Sequence, residues 1–273
     1  MSTIPAPGGQ PSAGPVANGP VPMLAAERQQ HLLTTLRTFG RINAATAVQE
    51  LNASAETIRK DLIALEQRGL LRRVHGGALH VESMTFEPDV SARQEHSGQK
   101  DRIAMAAVAH LPESGAVLID AGSTTRAFVD HLPNRSLTVY TNALAIALAA
   151  APLPNVSVAT FGGRVRPSTT AEVGSFALLA IRQMHFDVAF VGANAISVEH
   201  GLSTPDPDEA AIKAEMIANS ERVVLLTDHS KFAQRSLVRY AEVADLDLII
   251  TGTELGQVHK RALDSSGIEV QYV

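Results

Sequence analysis

Ser54-Ala55-Glu56-Thr57-Ile58-Arg59-Lys60-Asp61-Leu62 is the stretch on which the reading of the amino-terminal region turns. Ser54 is a favoured N-cap residue, and Ile58, Leu62 and Leu65 recur at helical spacing, so the sequence predicts a helix that runs from Ser54 to a stop at Gly69. With Ile58 and Leu62 turned inward, Thr57 and Lys60 fall on a different face and Arg59 flanks them. Thr contacts base edges, and Arg and Lys reach guanine edges or phosphates, which is the chemistry of a helix that lies in a DNA groove. An amphipathic helix with a solvated charged face accounts for the same residues. The helix alone does not separate these alternatives.

Upstream, Leu24, Arg28, Leu32 and Leu36 follow one another at four-residue spacing and Gly40 offers a stop. Asn43 reads as the cap of a short helix ending at Leu51, with a turn at Asn52-Ala53. Downstream, Leu70 to Leu79 contains two extended runs about Gly76-Gly77, the pattern of a hairpin. Three helices and a hairpin over residues 24–80 predict a winged helix-turn-helix. Arg72, Arg73 and His75 then lie on the wing, in place for backbone or minor-groove contacts, and Arg41 for a phosphate. Residues 1–23 hold six Pro and four Gly among small side chains and predict a disordered tail. Residues 81–99, polar and broken by Pro88 and Gly98, read as a linker.

From Lys100 the pattern changes. Apolar runs at Ala116–Asp120, Leu137–Thr141, Val156–Thr160, Val188–Val191, Val223–Thr227 and Leu246–Ile250 alternate with helical segments, notably 101–111, 142–150 and 209–219. That order predicts an α/β domain over residues 100–273 with a mostly parallel sheet covered on both faces and Ile268–Val273 as an edge strand.

Charge follows the same division. Residues 24–80 carry eight Lys/Arg against five Asp/Glu, residues 81–273 fifteen against twenty-three, and the whole chain a net −5. A small basic unit joined to a larger acidic one concentrates phosphate attraction at one end. There is no Cys, so no disulfide framework and no thiolate metal site, and the ten His show no metal-ligand spacing. No cofactor and no metal are expected, and with no membrane-spanning run or signal peptide the expected location is the cytoplasm. Asp228-His229-Ser230 contains the residue types of a hydrolytic triad, but three consecutive side chains cannot form that relay by themselves.

Asp120-Ala121-Gly122-Ser123-Thr124-Thr125 joins the first strand of this domain to a helix. Small residues there let backbone N–H groups approach an anion and the hydroxyls add donors; a plain strand-to-helix turn has the same composition. Further polar residues fall at strand ends, where ligands collect in open α/β sheets: Thr141-Asn142, Gly162-Gly163, and Asp228 with Lys231. Glu209 and Lys213 are four apart on one helix face, the spacing of an ordinary surface ion pair.

Two long strings sharpen these readings. Gly40-Arg41-Ile42, the helix ending at Leu51, Ser54, Thr57-Ile58-Arg59-Lys60-Asp61-Leu62, Leu65-Glu66 and Gly69-Leu70-Leu71-Arg72-Arg73-Val74-His75-Gly76-Gly77-Ala78 together resemble the DeoR-type family of bacterial sugar-operon regulators. In the larger domain the resemblance continues through residues 120–125, Val139-Tyr140-Thr141-Asn142, Phe161-Gly162-Gly163, Glu209-Ala210-Ala211-Ile212-Lys213 and Asp228-His229-Ser230-Lys231-Phe232. It covers about residues 24–251 and implies a helix-turn-helix at about 41–60 and a sensor domain similar to ribose-phosphate isomerases and CoA transferases. Ala53 stands where the family usually has Val, Lys60 where Arg is common and Ser123 where Thr is common, and Ala193-Asn194-Ala195 departs from a commoner Ser-Gly pattern.

The resemblance implies a repressor of a sugar uptake or catabolism operon, controlled by a phosphorylated sugar. Its DNA contacts would be Arg41, Ser54, Thr57, Arg59, Lys60, Arg72, Arg73 and His75. Its effector contacts would come from Asp120, Gly122, Ser123, Thr124, Thr125, Thr141, Asn142, Gly162, Gly163, Glu209, Lys213, Asp228 and Lys231. The partners expected are double-stranded operator DNA, the sugar phosphate and further copies of the chain in a dimer or tetramer, because one winged unit offers few base contacts. The alternative is a sugar-phosphate isomerase-like enzyme with a DNA-binding appendage, in which Lys213 or Lys231 supports proton transfer.

Overall fold

The structure, a computed structural model, describes residues 23–68, 70–74, 76–80, 96–232 and 234–273, with the backbone alone at Arg72, Val74 and His80. The expected tail as far as residue 22, the expected helix stop at Gly69, the wing residue His75, the side chain of Arg72 and residues 81–95 of the expected linker lie outside the described residues.

The amino-terminal unit contains α1 (Ala25–Phe39), β1 (Arg41–Asn43), α2 (Ala44–Glu50), α3 (Ala55–Gln67), β2 (Leu71–Val74) and β3 (Gly77–His80). Its caps are local chemistry. Gly40 closes α1 in the left-handed conformation (φ 72°) with its N–H on the Leu36 carbonyl. The Asn43 side chain accepts from the N–H groups of Ala45 and Thr46, and the Ser54 hydroxyl from that of Thr57 at 3.1 Å. Leu32, Leu36, Ile58, Leu62 and Leu65 form the core with Ile42, Leu71 and Ala78. Asp61 belongs to this packing rather than to any DNA-reading face: buried, it accepts from Arg28 at 2.7 Å and Gln29 at 3.1 Å, fastening α3 to α1.

The wing has one strand more than the hairpin read from the sequence, because residues 41–43 pair antiparallel with β3 in the order β1-β3-β2. Gly76, at φ 83°, makes the turn. Gly77 serves a different purpose: a Cβ there would sit 1.8 Å from the Ile42 carbonyl oxygen, so β1 approaches β3 only across a glycine.

The larger domain begins with α4 (Ser97–Ala107), whose first turn takes in residues 97–99 of the expected linker and buries Gln99. It continues as β4 (Ser114–Ile119), α5 (Ser123–Val129), β5 (Ser136–Thr141), α6 (Leu144–Ala150), β6 (Val156–Thr160), β7 (Arg164–Val165), β8 (Glu172–Val173) and α7 (Ser175–Arg182). Then follow β9 (Val188–Val191), β10 (Ala195–Ser197), β11 (Gly201–Thr204), α8 (Pro207–Ala218), β12 (Val223–Leu226), β13 (Val238–Ala241), β14 (Leu248–Thr251), α9 (Gln257–Ser266) and β15 (Glu269–Tyr272).

Seven strands form one parallel sheet in the order β15-β14-β12-β9-β4-β5-β6, with β15 at an edge as read. Alternate strand residues feed two cores. Val117, Ile119 and Val139 pack with α4, α5 and α6 on one face; Leu118, Ala189 and Leu225 pack with α7, α8 and α9 on the other. The strand read at 246–250 starts instead at Leu248, because residues 243–245 turn as a short 3-10 helix. The small antiparallel sheet β10-β11-β13 and the β7–β8 pair have no counterpart in the sequence reading. Strands of two to four residues show no period long enough to recognise.

Candidate functional site

On α3 Arg59 and Lys60 are exposed and Thr57 is half-buried, and not all of the side chains assigned to DNA are unengaged. Arg59 makes a two-pronged pair with Glu56, Nε to Oε2 and Nη2 to Oε1, each at 2.8 Å, with both side chains more than half exposed. The hydrogen bond from Arg59 holds the Glu56 carboxyl below the usual range and the guanidinium correspondingly high. The Ser54 hydroxyl caps the helix and lies 2.8 Å from that of Thr57. Lys60 is exposed one residue further on. Arg73 reaches back from the wing to Glu66, Nε to Oε2 at 2.6 Å with its backbone N–H on Oε1 at 2.9 Å, so wing and recognition helix share a clasp. Arg41, on β1, lies within electrostatic reach of Asp228 in the larger domain; partial burial lowers its pKa and the Asp228 charge raises it.

In the larger domain the assigned residues separate into three groups at the carboxyl ends of the strands. The first centres on Asp120, which follows β4 and is fully buried. Its Oδ2 takes the Lys213 ammonium in a buried ion pair and also the Gly192 N–H at 3.0 Å. Lys213 donates a further bond to the Gly192 carbonyl at 3.1 Å, as does the Tyr240 hydroxyl at 3.2 Å, and the ammonium stands 5.7 Å from the Tyr240 ring centre. Burial alone would depress the Lys213 pKa, but the Asp120 and Glu209 carboxylates outweigh it and hold the ammonium charged. Asp120 Oδ1 is buried with no hydrogen-bond partner among the described residues.

The loop beyond Asp120 is held from below. Asn142 Oδ1 accepts the Ala121 N–H at 3.1 Å, the Thr141 hydroxyl donates to the Ile119 carbonyl at 2.6 Å, and the Thr125 hydroxyl donates to the Gly122 carbonyl at 3.1 Å. A Cβ on Gly122 would meet that hydroxyl at 2.9 Å. Thr141, Asn142 and Thr125 thus shape the loop, Ser123 is half-buried at its mouth, and Thr124 is buried beside it.

The second group corrects the surface ion pair read for Glu209 and Lys213. Both are buried, because α8 lies between the sheet and the β7–β8 segment. Each takes a partner elsewhere: Lys213 takes Asp120, while Glu209 receives Arg166 Nη1 at 2.6 Å and the hydroxyls of Thr169 and Thr204. Arg166 also reaches Asp206 at 3.2 Å. Gly162 and Gly163 both have positive φ (73° and 109°), and the Gly162 N–H donates to Glu172 Oε2 at 2.7 Å.

The third group surrounds Asp228. Its Oδ1 accepts the N–H and hydroxyl of Ser230 and so caps the short helix carrying Lys231. Burial would raise this carboxyl, but the Lys231 charge, the Ser230 bonds and the Lys100 charge together bring it below its usual value. His229 Nδ1 is 2.8 Å from Gln99 Oε1, which fastens the loop to the first turn of α4.

Gly192, Tyr240, Arg166 and Glu172 were not read from the sequence as site residues. Each is an isolated residue in its own segment, brought to the strand ends by a crossover; a buried Arg alone would have been a signal, and burial is not written in the chain. Among the described residues no group of three His, Asp or Glu is placed to hold a metal ion, and no helix is long and apolar enough to cross a membrane.

Comparison with known proteins agrees with this architecture. Residues 28–84 match the DeoR-like helix-turn-helix domain and residues 95–253 the DeoR C-terminal sensor domain. The chain is 35% identical to the uncharacterized HTH-type transcriptional regulator FruR of Bacillus subtilis over 85% of its own length and 93% of the relative's. It is 35% identical to the HTH-type transcriptional regulator GlpR of Haloferax volcanii over 91% and 98%, and 30% identical to a putative aga operon transcriptional repressor of Escherichia coli O157:H7 over 90% and 93%. Among solved structures, ribose 5-phosphate isomerase A of Methanocaldococcus jannaschii superposes with a TM-score of 0.39 at 16% identity, covering 51% of this chain and 56% of that one. With a winged helix-turn-helix joined to a parallel α/β sensor domain and relatives matched over nearly their whole length, the chain belongs to the DeoR family of DNA-binding transcription regulators.

Proposed function

We propose that this regulator represses an operon for the uptake or breakdown of a sugar, and that a phosphorylated sugar bound at the carboxyl ends of the strands releases it from double-stranded operator DNA. The observation that carries the effector reading is Asp120 Oδ1: a fully buried carboxylate oxygen without a partner among the described residues, beside a charged lysine and a hydroxyl-lined loop. A buried acceptor without a partner is costly unless a ligand or water completes it, and a sugar hydroxyl is a fitting donor. Ser123, Thr124 and the backbone of residues 122–125 are assigned to the phosphate. In the same proposal residues 24–80 are the DNA-binding unit, the sensor extends from residue 97 to 273, Thr57, Arg59 and Lys60 meet bases, and Arg41, Arg72 and Arg73 meet phosphates. The protein acts in the cytoplasm as a homo-oligomer, which supplies the paired half-sites that a symmetric operator needs.

The isomerase reading has less support. A lysine held as an ammonium by a buried carboxylate is a poor proton-abstracting base. Arg166 and two hydroxyls engage Glu209, and Ser230 engages Asp228. The test is a titration of the complex with labelled DNA from upstream of its own gene, using ribose 5-phosphate, fructose 6-phosphate, fructose 1-phosphate and the unphosphorylated sugars, with product analysis of each incubation. Release of DNA by one phosphate ester, without turnover, is the expected result. Turnover of an ester with no effect on DNA affinity would replace the sensor by the enzyme.

A further inference from the structure

Among the described residues β6 is an edge of the seven-stranded sheet, and its own sequence carries none of the charges or prolines that blunt an edge. Its residues Val156-Ser157-Val158-Ala159-Thr160 include no charge and no Pro, and no charged residue occurs from Ala151 to Gly163. Exposed edges are ordinarily blunted by Lys, by Pro or by a covering segment, because their unpaired N–H and C=O groups recruit another strand. The opposite edge differs: β15 carries Glu269, its Gln271 is bonded to His110, and Lys260 stands over the Tyr272 ring.

The helices that precede and follow β6 in the chain, α6 and α7, expose apolar side chains. α6, Leu144–Ala150, has no polar residue, buries Ile146 and Ala150 and leaves Leu148 77% exposed. α7 buries Ala177 and Ile181, and leaves Phe176 and Leu179 at 76% and 58% exposure. α6, apolar all round, has the composition of a helix that belongs in an interior. The two lie on opposite faces of the sheet, since α6 packs in one core and α7 in the other.

We infer that the β6 edge, with Leu148 on one side and Phe176 and Leu179 on the other, is the surface on which a second copy of this chain docks. This rests on the reading of the protein as a homo-oligomer. A two-fold axis normal to the sheet pairs β6 antiparallel with its own copy and sets α6 against α6 on one face and α7 against α7 on the other. Every exposed apolar element then meets itself, as an isologous interface requires. The three side chains expose roughly 400 Å² of apolar area, about half of the roughly 800 Å² per partner in a standard stable interface, and the strand edge and helix flanks supply the remainder. The two sensor sheets become one, with their strand carboxyl ends pointing in opposite directions.

The experiment uses the full-length chain. Light scattering is measured on the wild type and on Leu148→Glu and Phe176→Glu, with circular dichroism to check folding. In parallel, Ser157→Cys is treated with a short bis-maleimide, for which the Cys-free parent is the blank. The expected result is a wild-type dimer or larger, loss of association by about 30-fold or more in each Glu variant, as for a hot-spot side chain, and a covalent dimer through residue 157. An oligomer that survives both Glu substitutions and yields no cross-linked dimer overturns this surface while leaving oligomerisation intact. A monomeric wild type overturns the surface and the oligomer together.

Discussion

The ion pair on the exposed face of α3 and the one at the centre of the sensor domain follow opposite rules. On α3, Glu56 and Arg59 are partners three residues apart, exposed to water and held by one helical turn. In the sensor domain Asp120 and Lys213 are 93 residues apart in sequence and almost wholly buried. The first pair can open to let a guanidinium meet a base at little expense, since water replaces the lost partner. The second cannot: removing either member strands a charge in the interior. In the proposed function the exposed pair lies on a surface that exchanges its partner for DNA, whereas the buried pair frames a site formed before its ligand arrives.

The largest effect expected from that contrast is at Lys213. Lys213→Ala leaves the Asp120 carboxylate buried and uncompensated, and should destabilise the sensor domain by about 3–5 kcal/mol; Lys213→Met, which fills the space, should also lose stability because the same charge remains. Thermal unfolding followed by circular dichroism measures both. A loss of under 1 kcal/mol in Lys213→Ala would erase the difference between the two pairs. The folded pKa of Lys213 is raised, so its contribution is complete below the ordinary lysine range and falls away only in strong alkali.

Arg59→Ala should do the reverse, changing unfolding little and weakening operator binding by about 5- to 150-fold, the range for a base-reading contact. If Arg59 meets a phosphate instead, the loss is similar on every sequence and the log–log salt slope becomes shallower by about one. Anisotropy titrations on operator and unrelated DNA at several salt concentrations distinguish the two, and unchanged affinity on both removes Arg59 from the recognition face. Ser54→Ala comes next: loss of the cap on the Thr57 N–H should cost about 1 kcal/mol in the amino-terminal unit, read from denaturant unfolding. The smallest effect is at Asp228. The Asp228 carboxyl is held below its usual value, so its contribution is present above the ordinary carboxylate range and lost as pH falls through the folded pKa. Asp228→Asn should therefore lower stability slightly at neutral pH, where that contribution is present, and leave strongly acid pH nearly unchanged, so that the acid limb of the profile flattens when denaturant unfolding is followed across pH.

Local chemistry was legible from the chain. The caps at Gly40, Asn43 and Ser54, the inward row of Ile58, Leu62 and Leu65, and the parallel strands at 116–120, 137–141, 188–191 and 223–227 depend on neighbours within a few residues or on short periodic patterns. So did the strand-end location of Asp120, Asn142 and Asp228, because ligand positions in an open sheet follow from topology. Other features required the fold. Gly77 looks like half of a Gly-Gly turn, and only the approach of Ile42 reveals that it admits a third wing strand. Glu209 and Lys213 look like one another's partners because helical spacing is local, yet burial of α8 gives each a different one. Leu148 and Phe176 look like core residues, since apolar side chains normally are, and only the sheet order leaves them facing water beside an open edge. Backbone hydrogen bonds within a turn are decided by adjacent residues, whereas the partner of a buried charge is decided by whichever distant segment the packing brings against it.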